Sequence, residues 1–150
     1  MPYAFVKFAH VGSMFLATAL AIGPSILLYL VTRNGSTDTI RRTFGHTTAV
    51  FRAGGAFYGL GLMFGFITAA NGSIGFSAPW LVAAYVLVLV LIGFNFGFER
   101  WTHRVTGAVA ADGGGELAAV LRSRRPLVAL TGMITTTLLL VFVMVVKPSF

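Results

Sequence analysis

The chain has no cysteine and very little acid: four Asp and Glu stand against eleven Lys and Arg in 150 residues. Without thiols, disulfides, thiolate nucleophiles and thiolate metal sites are excluded together. Charge of either sign is scarce, at 10% of residues where a soluble domain carries about 25%. So few charges cannot clothe a chain of this size in a hydrated shell, and a mean hydropathy of +0.87 agrees. The solvent is lipid, and an ordinary water-soluble enzyme is excluded. Also missing are a phosphate loop, a nucleophile triad and a pair of neighbouring carboxylates. The net charge of +7 does not imply nucleic acid, because no basic stripe with interleaved aromatics lies outside the apolar runs. Basic loops beside anionic lipid headgroups account for it.

Three runs carry no charge: 25 residues from Phe8 to Thr32, 46 from Ala53 to Phe98, and 21 from Pro126 to Val146. About 20 helical residues cross a hydrocarbon core of about 30 Å. The outer runs make one crossing each, and the long one makes two around Asn71-Gly72-Ser73, which has turn chemistry. This predicts an all-α polytopic membrane protein, an antiparallel bundle of four transmembrane helices over about 8–32, 51–70, 77–98 and 126–146. The whole chain forms one domain. The first span is read as retained, since its apolar run continues well past Ala19-Leu20-Ala21.

Nine of the eleven cations (Arg33, Arg41, Arg42, Arg52, Arg100, Arg104, Arg122, Arg124 and Arg125) fall in the first and third connections. Only Lys7 and Lys147 lie on the other side. The positive-inside rule makes connections 33–50 and 99–125 cytoplasmic and both termini external, in a bacterial plasma membrane. All four acids (Asp38, Glu99, Asp112 and Glu116) share the basic side. Tyr3 and Trp80 are expected at the outer boundary, and Tyr29 and Trp101 at the inner one, as interfacial anchors. A break at Asp112-Gly113-Gly114-Gly115 should precede a short helix from Glu116 to Arg122, whose leucines suit the membrane surface. Pro24 should kink the first helix.

Small residues recur every fourth position in the first span, at Ala9, Ser13, Ala17, Ala21 and Ser25. The second span carries Gly55-x-x-x-Gly59 and Gly61-x-x-x-Gly65. Such faces let backbones approach closely, and all nine positions are expected to be contacts, within the bundle or in a homo-oligomer or larger membrane complex. Among polar residues, His10 stands out, because an imidazole inside a membrane needs a partner. It is a candidate axial ligand for haem b, with Met144 the best match in depth across the bundle; a hydrogen-bonded structural role is the alternative. Glu99 and His103 share a helix face, but a third metal ligand is wanting beyond His46, and Glu99 should instead pair with Arg52 or Arg100. Asn95 and Thr135 to Thr137 are the polar groups a transport path would use, with no charged carrier in any span. Otherwise Asn95 should act as interhelical glue.

The start Val6-Lys7-Phe8-Ala9-His10-Val11-Gly12, the four spans and the end Val143-Met144-Val145-Val146-Lys147-Pro148 together resemble a bacterial family of integral membrane proteins of unknown function. That family has a Lys-x-x-His start and a Met-x-x-Lys-Pro end. It is distantly similar to the membrane protoporphyrinogen oxidases and the copper-resistance D proteins. The oxidase likeness implies haem at His10. The stretch Leu20 to Arg33 lacks the aromatic and Pro-Arg pattern of the oxidases, and no Met and His cluster suits copper. The leading expectation is a non-catalytic structural or accessory subunit packing through small-residue faces. A b-type haem redox protein comes second and a small-solute transporter or channel subunit third. The lipid bilayer is the sure partner.

Overall fold

The computed structural model describes residues 2–111 and 114–148, and among them every regular element is helical. The order is α1 (Tyr3–Asn34), α2 (Thr37–Asn71), α3 (Pro79–Ala110), α4 (Gly114–Arg122) and α5 (Arg125–Val146). Hydrocarbon cannot hydrogen-bond the backbone, so a spanning segment must satisfy its own N–H and C=O groups, as a helix does. Four helices (α1, α2, α3 and the one ending at Val146) are long and apolar enough to cross a membrane. The protein is a polytopic four-helix bundle.

Two of the helices extend well beyond their expected spans. The first connection shrinks to Gly35-Ser36, and α2 begins at Thr37 where a loop to residue 50 was expected. The Ser36 hydroxyl caps α2 by accepting the Thr39 N–H at 3.3 Å, and Asp38 pairs with Arg42 one turn on at 3.0 Å. A capped start with an acid in its first turn propagates a helix without apolar residues. α3 likewise runs twelve residues past Phe98. Hydropathy marks where the lipid ends, not where the helix ends. The turn at Asn71-Gly72-Ser73 is present: Gly72 follows α2, its N–H donates to the Thr68 carbonyl at 2.9 Å, and Ser73 turns left-handed at φ 53°. α1 continues through Pro24, whose missing N–H leaves the Leu20 carbonyl without its helical donor.

α1 packs along α2 and α3 packs along α5, while α1 meets α5 and α2 meets α3 more sparingly. The pairs join through aromatics at the basic end. There Trp101 is 3% exposed, its ring 5.2 Å from Phe98 and 6.0 Å from Phe44 of α2. Trp101 is thus a core pillar and not the interfacial anchor expected of it. Its indole N–H donates to the Val120 carbonyl of α4 at 3.4 Å, and Leu117, Val120 and Leu121 pack on the same core. The leucines of α4 therefore face protein and not the membrane surface. The break expected at Asp112-Gly113 lies outside the described residues. Tyr29 and Trp80 behave as boundary residues, each with a cation over its ring: Arg33 at 5.2 Å and Lys147 at 5.5 Å.

Trp101→Ala removes the side chain on which α2, α3 and α4 converge. We expect it to cost about 3–5 kcal/mol in a denaturant titration of detergent-solubilised protein. Limited proteolysis between residues 111 and 125 should accelerate at the same time; unchanged cleavage would contradict the pillar role.

Candidate functional site

The closest helix contact is the α1–α2 seam, and its chemistry centres on His10. Ala17, Ala21 and Ser25 are buried along α1, and Ala9 and Ser13 are half-buried. Opposite them on α2 lie Gly54, Gly61 and Gly65. A Cβ at Gly54 would stand 3.3 Å from Leu20 Cβ and 3.7 Å from the Ala17 carbonyl oxygen. At Gly61 it would collide with Met14 Sδ, and at Gly65 it would stand 2.9 Å from His10 Cε1. The missing side chains are where α1 sits.

His10 is half-buried, and its Nδ1 lies 2.7 Å from the Gly61 carbonyl oxygen. A carbonyl only accepts, so Nδ1 carries the proton and donates. In a helix the Gly61 carbonyl already takes the N–H of residue 65. An imidazole reaches the remaining lone pair because residue 65 has no Cβ. Gly61 and Gly65 thus form one seat: the first supplies the acceptor and the second the space. No protein group is recorded on Nε2 among the described residues.

Gly55 and Gly59 do not join this seam. Both are exposed, with open space where a Cβ would stand, so their assignment to the internal packing face is corrected. The two motifs are six residues apart, about 240° around the helix, and cannot share a face. Gly45, Arg52, Ala56 and Met63 are exposed on the same outward side as Gly55 and Gly59. The α3–α5 contact uses a glycine that pattern reading passes over: a Cβ at Gly132 would stand 2.5 Å from Phe94 Cε1 and Cζ. A lone glycine in an apolar helix carries no signal until its partner ring is known.

The remaining polar candidates are mostly satisfied locally. Asn95 donates to the Leu91 carbonyl of its own helix at 2.8 Å, so it is not interhelical glue. Ser25 donates to the Ala21 carbonyl at 2.7 Å and Thr68 to that of Phe64 at 2.7 Å. Of Thr135 to Thr137, the first is exposed and the second buried, while Thr137 Oγ1 is buried without a partner. Glu99 lies 3.7 Å from His103 on an exposed face and does not pair with Arg52 or Arg100 as expected. No group of three metal-ligating side chains forms among the described residues, and His46 is exposed.

The haem expectation needs His10 and Met144 to flank a space. His10 docks on α2, whereas Met144 packs on the core cluster to which α5 contributes Leu140 and Val143. Neither residue lines the cavity between α3, α4 and α5 or the one between α2 and α3. The Nδ1 hydrogen bond would suit a nitrogen ligand, since a backbone carbonyl commonly orients a coordinating imidazole. Gly61 and Gly65 hold the ring closely on its Nδ1 side. What the fold gives His10 is a polar lock on α2. Compared with known proteins, the chain matches no family model, no curated protein and no solved structure.

Gly65→Leu drives a side chain into the His10 ring and should destabilise the bundle by about 1–3 kcal/mol. Gly59→Leu, on the open face, should leave the stability of the isolated chain within about 0.5 kcal/mol. His10→Ala loses one interhelical hydrogen bond and should cost about 1 kcal/mol. Denaturant titration of the three variants in one detergent checks the ranking, and equal effects at Gly59 and Gly65 would contradict the seam.

Proposed function

We propose that the protein is a non-catalytic structural or accessory subunit of the bacterial plasma membrane. In this reading it docks a neighbouring transmembrane helix through the outward face of α2. One observation carries the proposal. Gly55 and Gly59 form a small-residue motif that the fold leaves open, whereas Gly61 and Gly65 are filled by α1. A helix face without side chains gives up dispersion contacts unless another backbone comes close, which in lipid is the main source of helix association. Arg52 lies at one end of this face and Met63 at the other, and Gly45 continues it beyond the span.

In the orientation we propose, the basic connections are cytoplasmic and both termini external, on the strength of nine Lys and Arg against two. Because the chain has no cysteine, single cysteines report both points cleanly. Ser123→Cys should be blocked to an impermeant maleimide in intact cells and labelled after lysis, whereas Ser73→Cys should label in intact cells. The reverse pattern would invert the topology.

For the docking face, Ala56→Cys oxidised in native membranes should give a cross-linked species. It would be a dimer at twice the 16.0 kDa chain mass or an adduct with a partner subunit. Adding Gly55→Leu and Gly59→Leu should abolish it. A monomer in every lane would overturn the docking role. A dithionite-reduced spectrum of the same purified protein should be featureless; a stoichiometric b-type haem band lost in His10→Ala would replace this reading with the redox one.

A further inference from the structure

A cavity of about 900 Å³ lies at the basic end, between α3, α4 and the start of α5. Its two walls differ in chemistry. Towards the membrane its floor includes Gly93 and Gly97, both exposed with open space where a Cβ would stand. Towards the aqueous side it is ringed by Arg100, Arg104, Arg124 and Arg125. Gly93, Gly97, Arg100 and Arg104 follow one another at intervals of three and four, so one stripe of α3 passes from a bare trough to two guanidinium groups.

None of the four arginines is in an ion pair among the described residues. Glu116 is the one acid on the rim, leaving an excess of three positive charges. The Ser123 hydroxyl accepts the Arg125 N–H at 3.2 Å, so its own proton is free to be donated into the cavity.

We infer that this cavity is a binding site for one anionic phospholipid, with its phosphate among the four arginines and an acyl chain along the Gly93–Gly97 trough. Charge complementarity carries the headgroup assignment, since clustered unpaired guanidinium groups at a membrane boundary bind phosphate through charge-assisted hydrogen bonds. The bare trough distinguishes a lipid from a soluble phosphate ester, which has nothing to lay along two glycines. A zwitterionic lipid fits the trough but brings its own cation to the arginines. The site is separate from the Gly55–Gly59 face and does not depend on it.

Native mass spectrometry of the full chain, with phosphatidylglycerol and phosphatidylcholine added in equal amounts, tests the site. We expect one bound phosphatidylglycerol in clear preference over phosphatidylcholine. Arg100→Gln with Arg104→Gln should reduce that preference about ten- to thirty-fold, whereas Arg33→Gln with Arg42→Gln should leave it unchanged. Gly97→Leu, which keeps every arginine, should lower phosphatidylglycerol binding by filling the trough, and Glu116→Gln should raise it. Equal loss in the two arginine pairs would reduce the effect to overall charge and overturn the site. Glycerol phosphate displacing phosphatidylglycerol at equal concentration would overturn the lipid assignment in favour of a soluble phosphate ligand. Thermal melts of each variant separate loss of binding from loss of fold.

Discussion

In hydrocarbon a helix gains nothing by hiding its leucines, because lipid tails solvate them as well as another helix does. Backbone hydrogen bonds are closed within each helix, so they do not choose partners either. What remains is closeness of approach. The α1–α2 seam uses it directly: three glycines of α2 receive Leu20, Met14 and His10 of α1, and each would meet a Cβ if one were there. The large side chains Phe8, Phe15, Leu89 and Val145 are exposed, as this rule requires. In water that distribution would be a defect.

The two helix pairs apply the rule differently. On α1 and α2 the small residues are numerous and backbone meets backbone, with one polar lock from His10 to Gly61. On α3 and α5 a single glycine, Gly132, accepts the face of Phe94. The pairs meet at the basic end through aromatics, where Trp101 contacts both Phe44 and Phe98 and α4 closes over it. Aqueous sequence therefore helps to build the core: α4 lies outside the spans, yet it covers the tryptophan that ties the pairs together.

The four spans and the turn between α2 and α3 were legible in the sequence, because charge is excluded from lipid whatever the partners do. The lengths of α2 and α3 were not. Hydropathy is silent on a helix that continues into water, and a serine such as Ser36 suits a loop as well as the cap it turns out to be. Trp101 was misread for a related reason. A tryptophan at a boundary suits the interface by its own chemistry, and only α4 folding back makes it core. Asn95 was misplaced because a side-chain amide satisfied by Leu91 one turn back looks, in sequence, the same as one reaching a neighbour. His10 was singled out correctly as a polar group needing a partner. The partner is a backbone carbonyl, which no residue type announces.

Glycines four apart occur three times in this chain and meet three different fates. Gly61 and Gly65 are filled by side chains of α1, Gly55 and Gly59 face outward, and Gly93 and Gly97 floor a cavity beneath arginines. The motif itself says only that a groove exists. Phase decides whether the fold occupies it: Gly54, Gly61 and Gly65 fall on the side of α2 that also buries Thr47 and Thr68, while Gly55 and Gly59 point the other way. What lies at the end of the groove decides what else can enter. A histidine lock closes the first, a bilayer neighbour can cover the second, and four guanidinium groups give the third a charge requirement that no side chain among the described residues meets with an ion pair.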